Sequence, residues 1–150
     1  MLKIYNHRPD HLTIKVEVAA CYIEIDNKIL FLQRAHHSKN EPGTWGVPAG
    51  KLEPNESPLN AAIRELYEET TIVIKKNMMQ PIGTLYIEKP GGAYAYHMFK
   101  VTLKEKPSVQ ISAQEHDDYI WATHDELKNI NLIAGAHEAL LYYYQKNKVL

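Results

Sequence analysis

Apolar and polar residues alternate near the start of the chain and then cease to alternate, which marks its first strand. Ile14, Val16 and Val18 are separated by Lys15 and Glu17, the period-two pattern of a half-buried strand. From Ala19 to Ile23 both faces are apolar, as in a central strand covered on both sides. Asp26-Asn27 signals a turn and Ile29 to Leu32 is a second apolar run, so Leu12 to Ala35 is predicted to be a strand pair. His36 to Thr44 is polar, irregular and contains Pro42-Gly43, the composition of a surface loop able to reach a ligand. Trp45 to Leu52 is short and interrupted by Pro48 and Gly50, and Glu53 to Glu56 is another loop.

Ser57-Pro58 then predicts a helix start, with Ser57 as cap and Pro58 at the first helical position. Leu59, Ala62, Ile63, Leu66 and Thr70 recur at helical spacing. Strands are predicted over Met79 to Glu88, Ala93 to Leu103 and Asp117 to Trp121, with Gly91-Gly92 as the turn between the first two. Thr123 to Glu126 is a capping-box pattern for a short helix, and a last helix runs from Ala136 to Gln145. With no repeat, low-complexity tract or linker, residues 1–150 read as one α+β domain.

Composition narrows the function classes. Hydrophobic residues are 45% of the 150 and charged residues 23%, ordinary for a globular protein with a real core. A formal net charge of -1 gives no general attraction to nucleic acid or to an anionic membrane, so affinity for a phosphorylated ligand must come from local groups or a bound cation. Cys21 is the sole cysteine, which excludes an internal disulfide and a thiolate metal cluster. Met1 to Asp10 lacks the apolar run of a signal peptide and no stretch has the length to span a bilayer, so a soluble, cytoplasmic protein is expected.

The candidate chemistry lies on the helix after Ser57. Glu65, Glu68 and Glu69 stand at i, i+3 and i+4, so their carboxylates share one face beside the apolar set, and Ala61 leaves space next to them. Like charges at this spacing repel by a few tenths of a kcal/mol per exposed pair, roughly. A hard divalent cation reverses that sign, and magnesium commonly bridges a few carboxylates to substrate phosphates. Arg64 can pair with Glu68 at i+4 or reach back to another carboxylate. Taken alone, the three glutamates are equally compatible with a solvated helix face.

The wider spacing decides between these readings. From Gly50 the chain runs GKLEPNESPLNAAIRELYEETTI: Gly50, five residues, Glu56, seven residues, Arg64-Glu65-Leu66, one residue, then Glu68-Glu69. This resembles the Nudix box of the MutT-like Nudix hydrolases, and Pro42 to Ala49 is similar to the family's usual lead-in. The resemblance implies an αβα sandwich with a mixed central sheet and divalent-metal-dependent cleavage of a diphosphate linkage, with Mg2+ as cofactor and Mn2+ as a substitute. It implies metal ligation by Glu65, Glu68, Glu69 and the Gly50 carbonyl, with one glutamate serving as general base. It further implies a supporting role for Glu56, and for Arg64 the orienting of a catalytic glutamate. Glu115, in a loop where many relatives carry another acid, is a candidate ligand or base.

Thr71 departs from the pattern, standing where the family has a glycine just past the helix end. A left-handed cap there costs a β-branched residue about 1–2 kcal/mol. The helix is therefore expected either to end differently or to carry strain, with no ligand lost. Arg34 is a candidate for phosphate or base contact; His36 and His37 are expected to be merely exposed, and Trp45, Tyr86, Tyr94 and Tyr96 mostly core. The leading function is hydrolysis of a nucleoside diphosphate-linked compound, such as a (deoxy)nucleoside triphosphate. An enzyme on a non-nucleotide diphosphate and a non-catalytic nucleotide-binding module are the alternatives, the second disfavoured by the complete carboxylate set. Neither the proline-rich array of the NADH pyrophosphatases nor the coenzyme A pyrophosphatase signature is present. A homodimer is common in the family.

Overall fold

Ala19 to Ile23 is buried on both faces because helices cover it from opposite sides. In the computed structural model, which describes residues 1–148, the chain order is β1 (Lys3–Tyr5), β2 (Ile14–Ile25), β3 (Lys28–Arg34), β4 (Trp45–Gly46), β5 (Ala49–Lys51), α1 (Pro58–Thr70), β6 (Gln80–Lys89), β7 (Gly92–Thr102), β8 (His116–Ala122), α2 (His124–Leu127) and α3 (Ala136–Lys148). Ala19, Cys21 and Ile23 point to a core with Ala61, Ala62 and Leu66 of α1. Ala20 and Tyr22 point the other way, to Ala139, Leu140 and Tyr143 of α3. The Tyr22 and Tyr143 rings stack at 4.7 Å, and the Tyr22 hydroxyl meets that of Tyr96 at 2.9 Å, which leaves neither buried oxygen unpaired. This is the expected α+β sandwich.

The sheet runs β1-β6-β7-β2-β3-β4, with β5 on β2 and β8 on β3. The β2–β7 pair is parallel and the others are antiparallel, so the sheet is mixed as expected. Strands β2 and β3 pair only at Glu24–Ile29 and Ile25–Lys28 and then diverge. The segment after Thr44 fills the resulting wedge: Trp45–Gly46 pairs with β3 on one wall, and Ala49–Lys51 pairs with β2 on the other. Cys21 N–H donating to Pro48 O and Leu52 N–H donating to Glu17 O extend the second wall. The short, Pro- and Gly-broken stretch is thus two strand stubs fixed from both sides.

Several expectations shift by local geometry. Val16 is more exposed than simple alternation requires, because the β2–β7 register slips between Ile14 and Val16. The turn after β6 centres on Pro90-Gly91, one residue earlier than Gly91-Gly92, since Lys89 pairs with Gly92. β1 was not foreseen, a three-residue edge strand on β6. The Thr123–Glu126 capping box forms both of its hydrogen bonds, and α3 continues past Gln145 to Lys148. Trp45 and Tyr96 pack against the α3-side core, whereas the half-buried Tyr86 and Tyr94 do not join it. Among the described residues no helix is long and apolar enough to cross a membrane.

Helix α1 begins as its sequence dictates, with the Asn60 N–H donating to Ser57 Oγ at 3.1 Å and Pro58 in the first turn. Its buried face is rotated from the expected one, since Ala61, Ala62, Leu66, Glu69 and Thr70 are buried while Leu59 and Ile63 are only partly so. Ala61 therefore fills core space and leaves no room beside the acids. At the other end Thr71 does adopt the left-handed conformation, φ 65°, ψ 6°, with its N–H donating to Tyr67 O at 2.8 Å. The side chains offset part of the strain: Thr71 Oγ1 donates to Thr70 O, and Thr70 Oγ1 donates to Leu66 O, each at 2.6 Å. Thr71→Gly removes a penalty of about 1–2 kcal/mol and gives back about 0.4–1 kcal/mol through a freer unfolded chain. Its Tm should rise by about 2–4 °C; an unchanged or lower Tm in a thermal melt would show that the two hydroxyl bonds already relieve the strain.

Candidate active site

The wedge between β2 and β3 brings the end of β5 against the acidic side of α1. Gly50 lies in β5 opposite Ala19, and a Cβ there would overlap the carboxylate of Glu65. Only glycine allows this approach. One helical turn on, Glu69 reaches the same stub, where Oε1 accepts from the Ala49 N–H at 3.0 Å. The three carboxylates do not lie evenly along an exposed edge: Glu69 is 7% exposed, the Glu65 side chain 16% and that of Glu68 53%. Because α1 is rotated, its acidic face runs from the core out to solvent.

Arg64 organises the outer part of the cluster. Nε and Nη2 donate to Glu56 Oε2 and Oε1 at 2.8 and 2.9 Å, a bidentate pair, and Nη2 also donates to Lys51 O at 3.0 Å. Nη1 donates to Glu65 Oε1 at 2.8 Å and to Glu68 Oε2 at 3.2 Å. Of the two routes open to Arg64 in the sequence, it takes both, reaching back to Glu56 and forward to Glu68. Glu56 also accepts from the Glu53 N–H at 2.9 Å, tying the loop before α1 to the same guanidinium.

Charge and burial together set the protonation of these groups. The Arg64 guanidinium, with help from the Glu53 N–H, holds Glu56 down to about 2. Glu65 is raised, by burial first, with Glu68 and Glu115 adding to the rise and Arg64 opposing it. Burial, then the charge of Glu65, keeps Glu69 well above the usual carboxylate range against the Ala49 N–H and Arg34. An ionised Glu69 is thus costly unless a further cation joins it. The oxygen donors present fit a hard divalent ion, which takes carboxylates and carbonyls.

A second strand completes the surroundings of Glu69. Ligand atoms of Glu69, Glu115 and His116 lie within 4.8 Å of one another, so the structure brings the loop acid Glu115 to the helix. Glu115 is carried there by its backbone, since the Ala35 N–H donates to Glu115 O at 2.9 Å. His116 was overlooked in the sequence, where only its place beside Glu115 marked it; burial and Arg34 lower it to about 4, so it is neutral at pH 7. Arg34 ends β3 within electrostatic reach of Glu69, His116 and Tyr94, and its Nη1 donates to Asn40 O at 3.3 Å. His36 and His37 are exposed yet engaged, His36 N–H to Asp117 Oδ2 at 2.8 Å and His37 Nε2 with Gln114 O at 3.0 Å. They strap the loop after β3 to the start of β8.

The Glu56–Arg64 pair has a definite pH signature. Glu56 titrates at about 2 when folded against an ordinary value of 4.5. A depressed carboxylate stabilises fully above its unfolded value, and that contribution is lost as pH falls through the folded value. Glu56→Gln should therefore lower the Tm at pH 7, with a deficit that shrinks as the pH is taken from 4.5 toward 2. Melts in a chelating buffer check this; a deficit constant over that window would mean that the pair adds no charge-dependent stability.

A family model described as the NUDIX domain matches residues 14–143. The CTP pyrophosphohydrolase of Escherichia coli strain K12 is 33% identical over 113 residues, 74% of this chain and 78% of that protein. The 8-oxo-dGTP diphosphatase of Buchnera aphidicola subsp. Acyrthosiphon pisum is 28% identical over 127 residues, 84% of this chain and 94% of that one. Among solved structures, the solution structure of the E. coli ORF135 protein matches with a TM-score of 0.71 at 28% identity, covering 95% of this chain and 96% of that one. The matched span runs from the first residue of β2 into α3 and contains the whole acid cluster with Arg64 and Gly50. On this agreement of box, fold and relatives, the chain belongs to the Nudix hydrolase family.

Proposed function

We propose that the chain hydrolyses the diphosphate linkage of a (deoxy)nucleoside triphosphate, releasing a nucleoside monophosphate and pyrophosphate, with Mg2+ as its usual ion and Mn2+ as a substitute. The observation that carries this reading is the buried Glu69 carboxylate, set beside Glu65 and Glu115 with one N–H donor, an arrangement that calls for a cation. The Gly50 carbonyl, Glu65, Glu68 and Glu69 would hold that cation. When bound, it supplies charge neutralisation on the diphosphate and a more acidic water.

The residues of the chain then have separate tasks. Arg64 keeps Glu65 and Glu68 in place, and Glu56 keeps Arg64 in place. A water oxygen bonds to phosphorus, the bridging P–O bond breaks, and the water's proton passes to a carboxylate of this cluster. Arg34, which ends β3 within electrostatic reach of Glu69, would contact a phosphate or the base. The nucleotide class is supported by the two relatives whose names specify nucleoside triphosphate substrates.

A panel of nucleoside and deoxynucleoside triphosphates, with Mg2+ or Mn2+, should yield pyrophosphate from at least one member. Glu69→Gln should lower kcat on that substrate by about 10²–10⁴-fold while the nucleotide still binds. Release of no pyrophosphate across the panel by metal-loaded protein would overturn the assignment, and full activity in the variant would remove Glu69 from the chemistry.

A further inference from the structure

Next to the acids that the Nudix box accounts for, the chain carries a donor of another kind. His116 opens β8 with its backbone paired to Arg34, and its N–H donates to Ser112 O at 2.9 Å, so main chain fixes where the ring starts. A ring nitrogen lies within 4.8 Å of carboxylate oxygens of both Glu69 and Glu115. Donor atoms around an octahedral ion with bonds of about 2.1 Å are about 3–4.2 Å apart, so small side-chain adjustments bring these three onto one ion. Among the described residues, Nδ1 of His116 is buried without a hydrogen-bond partner. The adjacent Asp117 instead joins His36, its Oδ2 accepting from His36 N at 2.8 Å and meeting His36 Nδ1 at 3.1 Å. An imidazole that reaches two carboxylates and has a buried ring nitrogen without a partner has a ready explanation in a bound cation.

We propose that His116 is a nitrogen ligand which, with Glu69 and Glu115, forms a mixed nitrogen–oxygen position preferring a transition-series divalent ion such as Co2+ or Zn2+ over Mg2+. Imidazole favours such ions, whereas carboxylates, carbonyls and water suit magnesium, so the all-oxygen set of Gly50, Glu65 and Glu68 stays matched to Mg2+. The proposal rests on the reading above in one respect, the metal-binding role of Glu69. The chain then holds two unlike metal positions side by side.

Calorimetric titration of the full chain with Co2+ and with Mg2+ tests this, using wild type, His116→Ala and Glu69→Gln. Electron spin-echo modulation of the Co2+-loaded wild type adds a second readout, because it detects a coordinated imidazole nitrogen directly. His116→Ala should weaken Co2+ binding by about tenfold or more, at least the loss seen on removing an outer partner of a ligand. Its Mg2+ affinity should be unchanged, and the wild type should show the nitrogen modulation. Absence of that modulation, or equal Co2+ affinity with and without the imidazole, overturns the role of His116 and leaves the hydrolase reading intact if Glu69→Gln still loses metal. Unaltered metal binding in both variants overturns the two together.

Discussion

The Arg64 guanidinium makes five N–H bonds, two to Glu65 and Glu68 of α1, two to Glu56 in the preceding loop and one to the Lys51 carbonyl, and the rest of the site depends on them. Without it Glu56, Glu65 and Glu68 would separate, because like charges on adjoining helical positions repel and solvent is near enough to receive them. With it they are held at the rim of a wedge that the sheet itself opens. Arg64 is suited to this where lysine is not, since its planar fork satisfies a bidentate carboxylate and has donors left for two more acids and a carbonyl. One acid lies beyond its reach. Glu69 is buried, is relieved by the Ala49 N–H and the charge of Arg34 but not by Arg64, and carries the electrostatic deficit of the cluster.

The fold supplies what that deficit requires. Divergence of β2 from β3 makes room for Trp45 to Lys51, and the close approach of Gly50 to Glu65 exists because those stubs are pinned to opposite walls. From the far side, the start of β8 and the loop before it deliver His116 and Glu115, strapped by His36 and His37 of the neighbouring loop. Three elements distant in sequence thus meet at one partly desolvated point, where electrostatic interactions are strong and a cation has several donors to choose from.

Much of this was legible in the residues. The two-faced apolar run of β2, the Ser57-Pro58 start of α1 and the Thr123–Glu126 capping box are local signals, and each formed as its chemistry required. At Thr71 the sequence left open a different helix end or a strained one, and the residue takes the strained, left-handed cap. What escaped depends on contacts distant in sequence. Burial of Glu69 followed from the rotation of α1 on Ala61 and Ala62, which helical spacing alone leaves open because small residues pack against a sheet at several angles. The convergence of His116 on Glu69 depends on the β3–β8 register, and the β1 edge strand on its pairing with β6. Neither register leaves a mark in a short, mixed segment.

The central claim is that the buried, like-charged cluster is destabilising by itself and becomes favourable when a cation joins it. Thermal unfolding of wild type and Glu69→Gln, each in a chelator and in saturating Mg2+ at pH 7, addresses it directly. Metal that binds only the folded chain stabilises it, so wild type should be no more stable than the variant without metal and should gain Tm with Mg2+ where the variant gains little. Equal gains in the two proteins, or a chelated variant markedly less stable than wild type, would contradict the account.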